Sequence, residues 1–164
     1  MTVTDKECPR PPDLCILHFA DSHSILSQAR KEPAGGISRL ATVVAEKRAQ
    51  FGERLLLLFS GDTFSPSLLS TLMRGQQVLP VFQALQVDAG MFGNHDFDFG
   101  VEELESLAEG CDIPWVMTNL MDSRTGRPIA GALASVLLDV GDLKVGVLGI
   151  AEQEWLKTVR NLPR

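Results

Sequence analysis

The segment RLLLLFSGD, from Arg54 to Asp62, decides the fold class of this chain. A short apolar run that ends at a glycine is typical of a strand buried on both faces, as in a parallel sheet. Gly61-Asp62 follows the run directly, so we expect the strand to end there. The sequence therefore predicts a buried strand with a carboxylate at its carboxyl end.

The segments on either side alternate between strand and helix patterns. A second buried strand is predicted over 14–20, and a loop over 22–34 follows it. Strands are also predicted over 87–92 and 113–118, and helices over 37–47, 67–74, 78–85 and 101–109. Such alternation indicates a layered α/β fold with a mostly parallel sheet. A turn-rich connection over 121–130 leads to residues 133–139 and 143–150, which flank Gly141-Asp142 and predict a hairpin. We expect one domain over residues 13–164, preceded by a polar leader over residues 1–12.

Composition narrows the class of protein. The chain has 164 residues, 45% hydrophobic content and a net charge of −6, which favours a folded protein and argues against nucleic acid or an anionic membrane as a partner. We find no apolar run of membrane-spanning length and no signal-peptide core. The three cysteines, Cys8, Cys15 and Cys111, show no metal-binding spacing. These features predict a cytoplasmic protein with reduced cysteines.

Three polar clusters each follow a predicted strand. They are Asp21-Ser22-His23, Gly61-Asp62 and Gly93-Asn94-His95-Asp96. Ligands of open α/β sheets bind beyond the carboxyl ends of the strands, so we expect the clusters to meet at one rim. Crowded carboxylates repel one another unless a cation lies among them, and neighbouring imidazole and amide groups suit Mn, Fe or Zn.

Each cluster also has a plainer interpretation. Asp21 and His23 could form a loop turn, Gly61-Asp62 an Asx turn, and the third cluster a helix cap before Val101. His18 lies within the first strand, where a core or strand-end histidine is expected rather than a ligand. The coincidence of all three clusters with strand ends favours a site.

At this point the sequence resembles the 5′-nucleotidase family of calcineurin-like metallophosphoesterases. Four stretches carry the resemblance, together with PWVMTNL (Pro114–Leu120): LHFADSH (Leu17–His23), GGISRLATVV (Gly35–Val44), FSGDTFSPSLLS (Phe59–Ser70) and GNHDFDFG (Gly93–Gly100). The last is the most specific. One departure is Ala20, where the family more often has Asn. The resemblance implies the N-terminal half of a four-layer α-β-β-α sandwich.

The resemblance also implies roles for individual residues. Two divalent ions (Mn, Zn, Fe, Co or Mg) would be held by Asp21, His23, Asp62 and Asn94, with Asp62 bridging them. The catalytic pair would be His95, which contacts the substrate phosphate, and Asp98, which orients His95. The implied reaction is in-line attack of water on phosphorus, with both ions neutralising the developing charge. A phosphorylated small molecule such as a nucleotide is the implied substrate.

The ligand set implied by the family is incomplete here. The family's second half supplies further histidines, whereas this chain contains only His18, His23 and His95. Three hypotheses follow: part of a phosphatase or nucleotidase of nucleotide catabolism, a catalytically inactive binding or regulatory protein that keeps the fold, and an unrelated structural domain. The presence of both His95 and Asp98 favours the first over the second. We expect little activity from the chain alone, and possible self-association through a sheet face left open.

Overall fold

The computed structural model describes residues 12–26 and 35–159. Apart from Pro12, the predicted leader lies outside the described residues, as does the part of the predicted loop over 27–34. The strands are β1 (Cys15–Phe19), β2 (Leu55–Ser60), β3 (Ala89–Met91), β4 (Met121–Asp122), β5 (Arg127–Pro128), β6 (Val136–Val140) and β7 (Leu143–Val147). The helices are α1 (Ile37–Phe51), α2 (Leu68–Met73), α3 (Leu79–Leu85), α4 (Val101–Cys111) and α5 (Trp155–Thr158).

The first three strands form a parallel sheet in the order β1-β2-β3. Cys15 pairs with Leu55 at one end of β1, and Phe19 pairs with Phe59 at the other, while β3 pairs with the second half of β2. Because all three strands run in the same direction, their carboxyl ends lie at one edge of the sheet. The predicted α/β fold with a parallel sheet is confirmed.

The core lies between this sheet and the helices. Leu57 and Phe59 of β2 are buried in this core. Trp115 stacks on Phe92, with ring centroids 4.6 Å apart, and on Phe82, with ring centroids 5.8 Å apart. Phe92 directly follows β3 and is fully buried. Large aromatic groups thus pack beneath the start of the polar loops and hold the ends of β2 and β3 in place.

The prediction of a fourth strand over 113–118 is wrong. This segment makes only isolated parallel bridges, from Trp115 to Gly90 and from Val116 to Leu133. The segment lies between two partners, Gly90 on one side and Leu133 on the other, and it makes a single bridge to each. Neither partner continues alongside it as a ladder, so no strand forms. The predicted hairpin is present as the antiparallel pair β6 and β7, but it forms a separate two-stranded sheet.

The face of the parallel sheet opposite the helices is only partly covered. The expectation that β1 is buried is wrong for this face, because Ile16 is 52% exposed and His18 is also exposed, with its Nε2 2.6 Å from Ser60 Oγ. Leu137, Leu148 and Ile150 in and beside the hairpin are more than half exposed. The described part of the chain therefore presents an apolar sheet face to water. None of the helices described there has the length and apolar character needed to cross a membrane.

Candidate metal centre

The loops that follow β1 and β2 bring three donor side chains together. One donor atom each from Asp21, His23 and Asp62 lies within 4.8 Å of the other two. Asp21 is exposed, His23 is half-buried and Asp62 is buried. Residues 41 positions apart in sequence therefore meet because parallel strands end at the same edge.

Hydrogen bonds between the two loops hold this arrangement. The Asp21 N–H donates to the Gly61 carbonyl at 2.9 Å, and the Ser22 hydroxyl donates to Thr63 Oγ1 at 2.9 Å. Asp21 and Asp62 both have left-handed backbone conformations, with φ of 53° and 66°. Such conformations are uncommon for residues other than glycine, and they occur more often at functional sites.

A carbonyl group orients the His23 ring. Nδ1 of His23 lies 2.7 Å from the carbonyl oxygen of Ser65. A carbonyl only accepts, so Nδ1 must carry the hydrogen, which leaves the lone pair of Nε2 for a metal ion. This is the arrangement that fixes the tautomer of histidine ligands in metal sites.

The loop after β3 contacts the same carboxylate. The His95 N–H donates to Asp62 Oδ1 at 2.8 Å. A Cβ atom at Gly93 would overlap the Asp62 carboxylate, and one at Gly61 would overlap the Gly93 backbone. Both glycines of the Gly-Asp and Gly-Asn-His-Asp motifs are therefore required by close approach of the two loops.

His95 and Asp98 form a hydrogen-bonded pair beside the donor cluster. Nδ1 of His95 lies 3.2 Å from Asp98 Oδ2, and the Ser65 hydroxyl donates to the same oxygen at 2.8 Å. The ring centroids of His23 and His95 are 5.7 Å apart. Since Nδ1 of His95 faces the Asp98 carboxylate, Nε2 is the ring nitrogen left to contact another group. The pair thus lies within reach of anything bound by the donor cluster.

Asn94 begins the 3₁₀ turn of residues His95–Phe97. It comes one residue before the amide that binds Asp62, so it belongs to the same loop contact. Binding of an ion by its side chain stays a prediction.

The sequence did not predict individual roles in this site for Asp96 and Ser65. Asp96 is buried and accepts four backbone N–H groups. The Ser65 carbonyl accepts from His23 Nδ1, and the Ser65 hydroxyl donates to Asp98, the partner of His95. Burial raises the pKa of the Asp96 carboxyl above its usual range, and the four N–H groups oppose that shift. The position of Asp96 directly after Asn94-His95 could have indicated a role for it. The backbone N–H groups that it accepts can be identified only from the structure.

The donor set suits a divalent transition-metal ion. Two carboxylates and one imidazole with a free Nε2 give the mixed oxygen and nitrogen ligands that Mn, Fe, Co or Zn accept. A carboxylate has about four lone-pair sites, and the His95 N–H uses one of those of Asp62, so Asp62 has the lone pairs to bind more than one ion. The residues present therefore fit one ion well and provide part of the ligands for another.

Comparisons with known proteins identify the family of this chain. The calcineurin-like phosphoesterase family model matches residues 15–162. The chain is 34% identical to the 5′-nucleotidase of Bos taurus over 161 residues, which cover 88% of this chain and 27% of that protein. The chain thus spans about a quarter of the length of this curated relative.

Solved structures share the fold. The chain superimposes on a 5′-nucleotidase precursor from Thermus thermophilus with a TM-score of 0.74, covering 87% of this chain and 29% of that one at 24% identity. For the NAD nucleotidase of Haemophilus influenzae the TM-score is 0.77, with 87% and 27% covered at 24% identity. The family match, taken with the convergence of Asp21, His23 and Asp62, shows that this chain belongs to the calcineurin-like phosphoesterases and is similar to 5′-nucleotidases.

Proposed function

We propose that this chain is part of a metal-dependent phosphoester hydrolase that acts on a phosphorylated small molecule such as a nucleotide. The observation that supports this most is the donor cluster of Asp21, His23 and Asp62 beside the His95–Asp98 pair. The similarity to 5′-nucleotidases supports the substrate class. The chain corresponds, in this proposal, to the N-terminal half of a four-layer α-β-β-α sandwich.

Each site residue would have its own role in phosphoryl transfer. Asp21 and His23 would hold one divalent ion, Asp62 would bridge it to a second ion, and Asn94 would help to bind the second. When bound, such ions activate water and neutralise charge on the transferred phosphoryl group. The His95 imidazole, held by Asp98, would donate a hydrogen bond from Nε2 to a phosphate oxygen.

Ligand counting predicts that the chain alone has no appreciable turnover. A structural transition-metal site uses about four protein ligands, whereas a catalytic site uses about three and keeps the fourth position for water or substrate. The first ion has Asp21, His23 and Asp62, whereas the second has Asp62 and Asn94. His18, on the sheet face, is the one histidine that the proposal leaves unused. The second ion is therefore expected to bind poorly.

A metal titration and a phosphatase assay test this proposal. We expect the purified chain to bind about one Mn, Co or Zn ion, as its three-donor cluster predicts, and to show no hydrolysis of an aryl phosphate or of AMP. Metal-dependent turnover that Asp62→Asn abolishes would show that the chain suffices as an enzyme and that the ligand count is wrong. A chain that binds none of these ions would favour the alternative, an inactive binding or regulatory protein.

Self-association and cytoplasmic location stay predictions. Ile16 of the parallel sheet is an exposed apolar side chain, as are Leu137 and Leu148 in and beside the hairpin, and a second copy could cover them. Sedimentation over a range of protein concentrations, compared with Leu148→Glu, tests self-association. A wild-type chain that stays monomeric throughout would contradict it.

A further inference from the structure

One buried side chain joins the two loops that carry the candidate site. Asp96 Oδ2 accepts the N–H groups of Asp62 at 2.9 Å and of Gly93 at 2.8 Å. Its Oδ1 accepts those of Thr63 and Phe64, both at 2.9 Å. Three of the four donors belong to the loop after β2 and the fourth to the loop after β3. A single oxygen atom thus bridges the loops.

The contact is reciprocal. Asp62 Oδ1 accepts the His95 N–H from the loop after β3, while Asp96, in that loop, accepts the Asp62 N–H. Each aspartate therefore binds the backbone of the other's loop. The left-handed conformation of Asp62 belongs to a turn whose three successive N–H groups point to one carboxylate, which is an anion-binding backbone concavity.

We propose that Asp96 is a positioning residue that holds the Asp62 carboxylate and the Asn94-His95 segment in their ion-binding arrangement before any ion binds. This inference rests on the proposed function, in which Asp62 bridges two ions. Only a carboxylate meets the requirement, because both of its oxygens accept. An asparagine would turn an NH₂ group toward two N–H donors.

If Asp96 served stability alone, Asp96→Asn would lower stability without changing metal binding. Asp88 provides the matched control. Asp88 Oδ2 accepts the Leu57 N–H at 2.6 Å, so it too is a carboxylate bound to the backbone of β2. Asp88 lies before β3, away from the candidate ligands that follow the strands. Asp88→Asn should lower stability and leave metal binding unchanged, whereas Asp96→Asn should affect both.

The first experiment is amide hydrogen exchange on the full chain in EDTA and then with Zn²⁺. We expect the amides of Asp62, Thr63, Phe64 and Gly93 to be protected without metal and to change little when Zn²⁺ is added. In Asp96→Asn these four amides should lose protection, while Leu57 keeps its own. Four amides that exchange rapidly in the metal-free wild type and become protected only with Zn²⁺ would overturn the proposal, and this result does not depend on whether the variant folds.

The second experiment compares Zn²⁺ affinity among folded proteins. Asp96→Asn should bind Zn²⁺ about 10–100-fold more weakly than wild type, the range found for partners that orient metal ligands. Asp88→Asn should match wild type. Wild-type affinity in folded Asp96→Asn would overturn the inference. Failure of the wild-type chain to bind Zn²⁺ or Mn²⁺ would overturn the proposed function instead, while the exchange pattern would still decide whether Asp96 joins the loops.

Discussion

The two ion positions proposed for the candidate centre differ in how many ligands the chain supplies to each. The first would use Asp21, His23 and Asp62, from the loops after β1 and β2, and hydrogen bonds to another loop hold each of these residues. The second would use Asp62 and Asn94, from the loops after β2 and β3. Asp62, which the proposal assigns to both positions, is held by the protein itself, so an incomplete ligand set is compatible with an ordered arrangement.

Asp62→Asn should have the largest effect, because it removes the charge common to both positions. We expect the affinity for Mn²⁺ to fall by more than the about 10–100-fold that loss of an orienting partner causes. Calorimetric titration, with circular dichroism to confirm folding, measures this. Asp139→Asn is a suitable control, since Asp139 lies on the exposed hairpin and pairs with Lys144. Retained affinity in Asp62→Asn would place the first ion elsewhere.

Gly93→Ala should have the next largest effect, because its Cβ would overlap the Asp62 carboxylate. We expect a stability loss of about 1–3 kcal/mol, as for other overpacked sites, together with weaker Mn²⁺ binding. Thermal unfolding and metal titration measure the two effects. Gly146→Ala is the matched control, because a Cβ there meets no atom within 4 Å. Equal behaviour of the two variants would show that the loop contact tolerates a side chain.

His95→Asn should leave Mn²⁺ affinity unchanged, because the imidazole faces Asp98 and is assigned to the phosphate rather than to an ion. In a form of the enzyme with both ion positions complete, the same substitution should lower turnover by about 10²–10⁴-fold. Metal titration of this chain checks the first expectation. Loss of the ion in this variant would make His95 a ligand.

Asn94→Ala should have the smallest effect on this chain, since Asn94 is assigned to the position that lacks ligands. We expect the same stoichiometry and the same affinity for the first ion as in wild type. The titration used for Asp62→Asn measures both quantities. A clear loss of affinity would mean that Asn94 serves the first ion and that the two positions are not separate.

The local sequence was sufficient to predict those elements of the fold that depend mainly on residues adjacent in the chain. The run Leu55–Ser60 is a strand in the structure, and the Gly61-Asp62 turn ends it, because apolar content and a following glycine are local properties. The hairpin around Gly141-Asp142 is likewise present. Residues 113–118 have strand composition as well, yet they make only one bridge to Gly90 and one to Leu133, because neither partner continues alongside them.

The residue types of the candidate centre, and their positions after the strands, could be predicted from the sequence alone. The contacts that hold these residues are known only from the fold: Ser65 orients His23 and contacts Asp98, and the buried Asp96 joins the two loops. These contacts link residues more than 30 positions apart, except for the bond from Gly93 to Asp96 within one loop. The physical reason is that hydrogen bonds require approach to about 3 Å, and parallel pairing of the strands, not the local sequence, brings these loops so close.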